Sequence, residues 1–196
     1  MKQWKVGLFL AVVAIFVTVS FHQVLRSAEA ACNWSPNYSS QQGQCTWYAD
    51  GKAAVNGWPL TFAGKKGDAY NWYSKGYIKN AGQNSSGKSG YIMVFGSGND
   101  SNGKDYSSGH HGHVAYVTSS GKWNGQSAWT VRQANWYNPK IKGSDFGQWI
   151  VPDEKPCGQT VTQCTFVEYK SGWVKIQNGN SLGATGYPLL GFIYKK

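Results

Sequence analysis

The sequence predicts an α+β domain, with helices at its amino-terminal end packed on an antiparallel β-sheet of about five to six strands. Three observations carry that expectation. Helix-like segments come first, strand-like segments then follow in a run, and polar Gly/Ser-rich turns separate them.

The chain opens with "MKQWK", the unbroken apolar run Val6 to Phe21, and the small-residue pattern Ala28-Glu29-Ala30. Positive charge, apolar run and A-x-A site together read as a secretory signal peptide over residues 1–30. The run is shorter than the roughly 20 residues that cross a bilayer. No membrane association is expected after cleavage, and the product would be secreted, either extracellular or held at the cell wall. Cys32 follows the cleavage site, but Glu29 stands where a lipid-modified cysteine wants an aliphatic residue.

Residues 31–196 then read as a single domain, since about 165 residues suit one core and are few for two. In "QCTWYADGKAAV", Ala49 and Ala53 lie four apart and give a helix face able to press closely on a sheet, although Gly51 weakens its middle. In "GDAYNWYSKG", Asp68 can cap a second short helix, Ala69, Trp72 and Tyr73 share a face, and Gly76 can stop it. The loops "NAGQNSSGKSG" and "GSGNDSNGKDYSSG" flank the apolar strand "YIMVFG". "HVAYVTS", "AWTVRQANWY", "GQWIVP", "TFVEYKSGWVKIQ" and "LLGFIYKK" read as the strands that follow.

Loss of residues 1–30 removes Lys2, Lys5 and Arg26 against Glu29, which takes the net charge from +10 to +8. A basic exported protein is drawn to polyanions such as wall polymers and acidic glycans. The 10 Trp, 12 Tyr and 8 Phe serve mainly core and strands, with sugar stacking a role for a few. Mixed basic and aromatic residues also occur in single-strand binders, but the usual motifs are missing and no nucleic-acid partner is expected.

Four cysteines stand at 32, 45, 157 and 164. In an oxidising compartment Cys157 and Cys164, bracketing "GQTVTQ", are spaced to staple a short hairpin. Cys32 and Cys45 would remain and could pair with each other. Zinc fits poorly, because there is no C-x-x-C pair.

Cys45 has a second reading. At the first turn of a helix, unpaired N–H groups and the dipole favour a thiolate. His113 in "SGHHGHVAYV" begins a strand and can supply a base, and on "TVRQANW" the side chains of Val131, Gln133 and Asn135 alternate onto one face. Cysteine, histidine and a side-chain amide in that order suit thiol hydrolysis. His110 and His111 could join His113 at a metal only with further ligands, and no acidic cluster supplies them, so solvent-exposed loop histidines are the simpler reading and neither metal nor cofactor is expected.

These blocks resemble the CHAP domain, a cysteine- and histidine-dependent amidohydrolase/peptidase module of papain-like fold in bacterial and phage enzymes that cut peptidoglycan. "GQCTWY", "GDAYNWYSKGY", "IMVFG", "GHVAYV", "QANW" and "GFIY" occur in the family's order from Gly43 to Tyr194. The resemblance implies Cys45 as nucleophile, His113 as general base, and Asn135 with Gln133 beside it as the group that orients the ring. It disfavours a Cys32–Cys45 disulfide. Backbone N–H groups at the start of the Cys45 helix would hold the oxyanion, helped by one of Gln41, Gln42 or Gln44. The chain departs from the pattern at Gln133, where the family has glutamate, and at Tyr91, where aspartate is common. The implied function is a monomeric, secreted hydrolase acting on an amide bond of peptidoglycan, as an N-acetylmuramoyl-L-alanine amidase or a peptide endopeptidase. The alternative is a wall-binding or adhesion module with a degenerate third position.

Overall fold

Alternation along one strand organises the molecule. In β3 (His113–Trp123) the side chains of Ala115 and Val117 enter one buried cluster, while Val114 and Tyr116 enter another on the opposite face. The computed structural model describes residues 34–98, 101, 111–135 and 148–196, so the expected signal peptide, Cys32 and His110 lie outside it.

The other strands are β1 (Ala81–Asn84), β2 (Ile92–Phe95), β4 (Gln126–Gln133), β5 (Gln148–Ile150), β6 (Thr162–Lys170), β7 (Trp173–Asn178) and β8 (Ser181–Lys195). All pairings are antiparallel. The order β8-β2-β3-β4-β6 closes through β7, which pairs with both β6 and β8, so six strands form a barrel. β1 extends it beside β8 and β5 beside β6. Closure removes most of the open edge that a flat sheet would carry.

Inside the barrel, Met93, Phe95, Trp129, Val131, Phe166 and Phe192 form the core of one cluster. Outside it lies the single α-helix among the described residues, α1 (Cys45–Val55). Trp47, Tyr48, Ala49 and Ala53 of α1 share the second cluster with Ile92, Val94, Val114 and Tyr116. Ala49 and Ala53 are fully buried there. Each large side chain removed from water contributes about 2–3 kcal/mol. Gly51 has a packing reason, since a Cβ there would sit 2.1 Å from Nε1 of Trp34, whose indole lies across the helix and donates to the Tyr48 carbonyl at 3.3 Å.

Two carboxylates anchor α1, one fully buried and one half-buried. Asp50, fully buried, accepts from Ser35 Oγ at 2.7 Å and from the Asn37 backbone and side-chain nitrogens at 2.9 Å. Glu154 accepts from Tyr48 Oη and Lys52 Nζ at 2.7 Å and from Arg132 Nη1 at 2.5 Å, which joins the helix to β4.

Several expectations change. The second helix is a five-residue 3-10 turn, Ala69–Tyr73, and Asp68 does not cap it, because its carboxylate is turned to His111 at 2.6 Å. The described strands number eight against the expected five to six. "TFVEYKSGWVKIQ" folds back at Ser171-Gly172, with Gly172 at φ +71°, and so yields both β6 and β7. The segment read as a polar loop after Asn80 contains β1, because β8 runs on to Lys195 and offers it an edge.

The Cys157–Cys164 staple is not formed. Cys164 is fully buried on the inner face of β6, opposite Val131, and is outside any disulfide, as is Cys45. Cys157 lies in a 3-10 turn, Pro156–Gly158, packed against the cluster on the helix side, and is disulfide-bonded. The two sulfurs sit on opposite sides of the barrel wall.

Candidate active site

Cys45 is the first residue of α1, and the chain reaches it through a turn that needs glycine. Gly43 has φ +87°, and a Cβ there would meet Gln159 Oε1 at 2.6 Å. Gln44, with extended backbone, is the residue before the helix and makes no side-chain cap. The sulfur therefore stands where helix N–H groups have no carbonyl partner. Burial pushes the Cys45 thiol up to about 11, opposed by backbone hydrogen bonds from Val114, Thr46 and Cys45 itself that favour the thiolate.

The Val114 contact ties Cys45 to the next residue of interest. His113 precedes Val114 and points to the other face of β3, at the end of the barrel interior, where it is 3% exposed. Its ring centre lies 5.6 Å from that of Phe95. Gly112 makes the entry possible: it has φ +66°, and a Cβ would come within 2.8 Å of the Tyr70 nitrogen and 2.9 Å of the Phe95 carbonyl oxygen.

Gln133, the last residue of β4, meets His113 from across the barrel end. Its Oε1 is 2.9 Å from His113 Nε2, and it too is fully buried. With the ring proton on Nε2 donated to that oxygen, Nδ1 is left as the basic nitrogen. Burial lowers the His113 pKa to about 3, against the Gln133 hydrogen bond, which raises it. Burial thus favours the uncharged form of both the thiol and the imidazole.

Asn135 is placed differently from the expectation. The chain leaves the strand after Gln133, and Asn135 takes a left-handed conformation at φ +55°. Its Nδ2 donates to Gln44 Oε1 at 2.5 Å, so Gln133 alone of the two is bonded to His113, and Asn135 braces the residue before Cys45. The three glutamines also separate. Gln41 Oε1 accepts from Thr46 Oγ1 at 3.3 Å, Gln42 Nε2 donates to the Cys157 carbonyl at 3.1 Å, and Gln44 is the one held by Asn135. The sequence offered no means of choosing among them, because the choice depends on a turn after β4.

His111 is exposed and pairs with Asp68 through Nδ1, away from the buried His113 ring. Among the described residues no group of three or more His, Cys, Asp or Glu could hold a metal. No described helix is long and apolar enough to cross a membrane.

Chemically, the arrangement offers a thiol at a helix start, a neutral imidazole held in one tautomer, and backbone N–H groups around the sulfur. The family model described as CHAP domain matches residues 34–135, a span that begins at Trp34 and ends at Asn135, taking in Cys45, His113 and Gln133. No curated protein matches the chain.

Proposed function

Because this chain belongs to the CHAP domain family of amidohydrolases and peptidases, we propose that it is a cysteine hydrolase that cleaves an amide bond of peptidoglycan after export to the wall. The observation that supports this most directly is the Gln133–His113 hydrogen bond, which leaves Nδ1 basic, one residue before Val114, whose backbone is bonded to the Cys45 sulfur.

In this reading the Cys45 sulfur attacks the carbonyl carbon as its proton passes to His113 Nδ1. The carbonyl oxygen becomes an oxyanion, held by N–H groups at the start of α1. Collapse breaks the C–N bond, and the imidazolium returns the proton to the leaving amine. Water, deprotonated by the same nitrogen, then splits the thioester and restores the thiol. The basic charge would favour approach to anionic wall polymers.

Purified protein lacking residues 1–30 should release soluble fragments from isolated walls. Cys45→Ala and His113→Ala should each abolish release, and a chelator should change it little. Intact release by Cys45→Ala would overturn the reading. Mass spectrometry of the fragments separates amidase from endopeptidase, because the new amine and carboxyl ends identify the bond.

A wall-binding module without turnover is the second reading, favoured by the neutral residue behind His113 and by the raised thiol pKa. It predicts that the protein sediments with walls and releases nothing.

A further inference from the structure

Gln133 poses a problem that a glutamate would not. An amide can turn either its oxygen or its nitrogen to His113, and only the first arrangement gives a useful base. With oxygen on the ring, the proton sits on Nε2 and Nδ1 can accept from the thiol. With nitrogen on the ring, Nε2 becomes the acceptor, the proton moves to Nδ1, and Cys45 loses its base. Gln133 is fully buried, so its orientation is set by its protein neighbours.

Cys164 settles it. In the β4–β6 ladder Gln133 lies opposite Thr162 and Val131 opposite Cys164, which makes Cys164 the diagonal neighbour of Gln133 on the inner face. The Gln133 amide nitrogen donates to Cys164 Sγ at 3.4 Å. The same amide's oxygen faces His113 Nε2 at 2.9 Å. With the thiol sulfur as acceptor, the two contacts at opposite ends of one amide favour the orientation that puts oxygen on the ring.

We propose that Cys164 is a positioning residue: its sulfur accepts the Gln133 amide proton and so keeps the amide oxygen on His113 and the ring proton on Nε2. The role deepens the hydrolase reading and rests on it for its kinetic consequence. It also gives the buried thiol a purpose once the Cys157–Cys164 disulfide is set aside. Cys164 touches neither the nucleophile nor the scissile bond in this scheme and acts only through Gln133.

The test uses the mature chain carrying Cys164→Val, Cys164→Ala, Cys164→Ser, Gln133→Glu and the Gln133→Glu/Cys164→Val pair, with folding checked by circular dichroism. Nitrogen-15 NMR of labelled histidine reads the His113 tautomer, and wall hydrolysis gives kcat and KM. Valine or alanine removes the acceptor: the Nδ1–H tautomer should appear and kcat should fall about ten-fold with KM unchanged. Serine keeps an acceptor and should keep the Nε2–H form. In the glutamate background, which has no N–H to place, Cys164→Val should change kcat less than about two-fold.

Retention of the Nε2–H tautomer in both Cys164→Val and Cys164→Ala would overturn the proposal. So would an equal loss of kcat in the Gln133→Glu background. If only alanine folds, it carries the test alone. If the unmodified protein has no turnover, the hydrolase reading fails and the tautomer measurement still decides the role of Cys164.

Discussion

Cys45 and His113 are both held uncharged by burial, and Gln133 is the residue at which a charge could change that. Burial drives the thiol up to about 11 and the ring down to about 3, and an amide adds no charge to reverse either shift. A carboxylate at 133 would favour the imidazolium, and the imidazolium would in turn favour the thiolate. Iodoacetamide should therefore modify Cys45 slowly near pH 7, with a rate that climbs toward pH 11. In Gln133→Glu the rate at pH 7 should rise about ten-fold for each unit by which the thiol pKa falls. Mass spectrometry of the Cys45 peptide measures both, and an unchanged rate in the glutamate variant would show that the ring charge does not govern the thiol. Residue types and spacing picked out Cys45, His113 and Gln133, and the structure places Cys45 at a helix start and Gln133 on His113. Asn135 departs from its expected place on His113 because strand alternation ends with Gln133. The chain turns into the left-handed region at Asn135, so its side chain goes to Gln44.

Helix α1 presents a case where intrinsic propensity and packing oppose each other. Glycine in a helix interior costs about 1 kcal/mol relative to alanine, so Gly51→Ala would stabilise an isolated helix. Here the new Cβ would lie 2.1 Å from Nε1 and 2.2 Å from Cδ1 of Trp34. The indole would have to leave its stack on Tyr48, where ring centres are 6.1 Å apart, and break its bond to the Tyr48 carbonyl. Gly51→Ala should lower stability by about 2 kcal/mol, read as a drop in the midpoint of thermal or urea unfolding; a rise would mean that Trp34 contributes little to holding the helix. The small Ala49/Ala53 face was visible in the sequence because it is local. The Trp34 contact was not, since it depends on how the segment before the helix crosses it. For the same reason the strand run was readable, whereas β1 and the β6–β7 fold-back were hidden by pairing partners far away in sequence.

At the scale of the molecule, closure of the barrel and attachment of the helix both depend on residues beyond the CHAP match, which ends at 135. β8 lies between β1 and β2, and β7 closes the ring between β6 and β8. Glu154 holds α1 to Arg132 of β4. The run of antiparallel strands was legible from the order of the segments, but the expected helices on an open sheet became one described helix beside a closed barrel, because only pairing reveals closure. This joining of barrel end and helix sets how the protein meets acid. His113 has a folded pKa of about 3, below the ordinary value near 6.5, so the unfolded chain binds its proton first. Its contribution to stability is whole above about pH 6.5 and is lost as pH falls toward 3, at up to about 1.4 kcal/mol per unit. For Glu154, burial works to raise the pKa, but hydrogen bonds from Lys52, Tyr48 and Arg132 and the Lys52 charge outweigh it and bring it below the ordinary value. Its contribution is therefore complete above the usual glutamate range, about 4.3, and disappears further into acid. Urea unfolding at intervals from pH 8 to 3 should show stability declining first below about 6.5 and more steeply below about 4.5. His113→Gln should flatten the upper part of that decline and leave the lower. Glu154→Gln should lower stability at pH 7 by about 1–3 kcal/mol, since Lys52 and Arg132 lose their shared partner, and flatten the lower part. A profile in which His113→Gln leaves the decline between pH 6.5 and 4.5 unchanged would place the acid sensitivity elsewhere than at the barrel end.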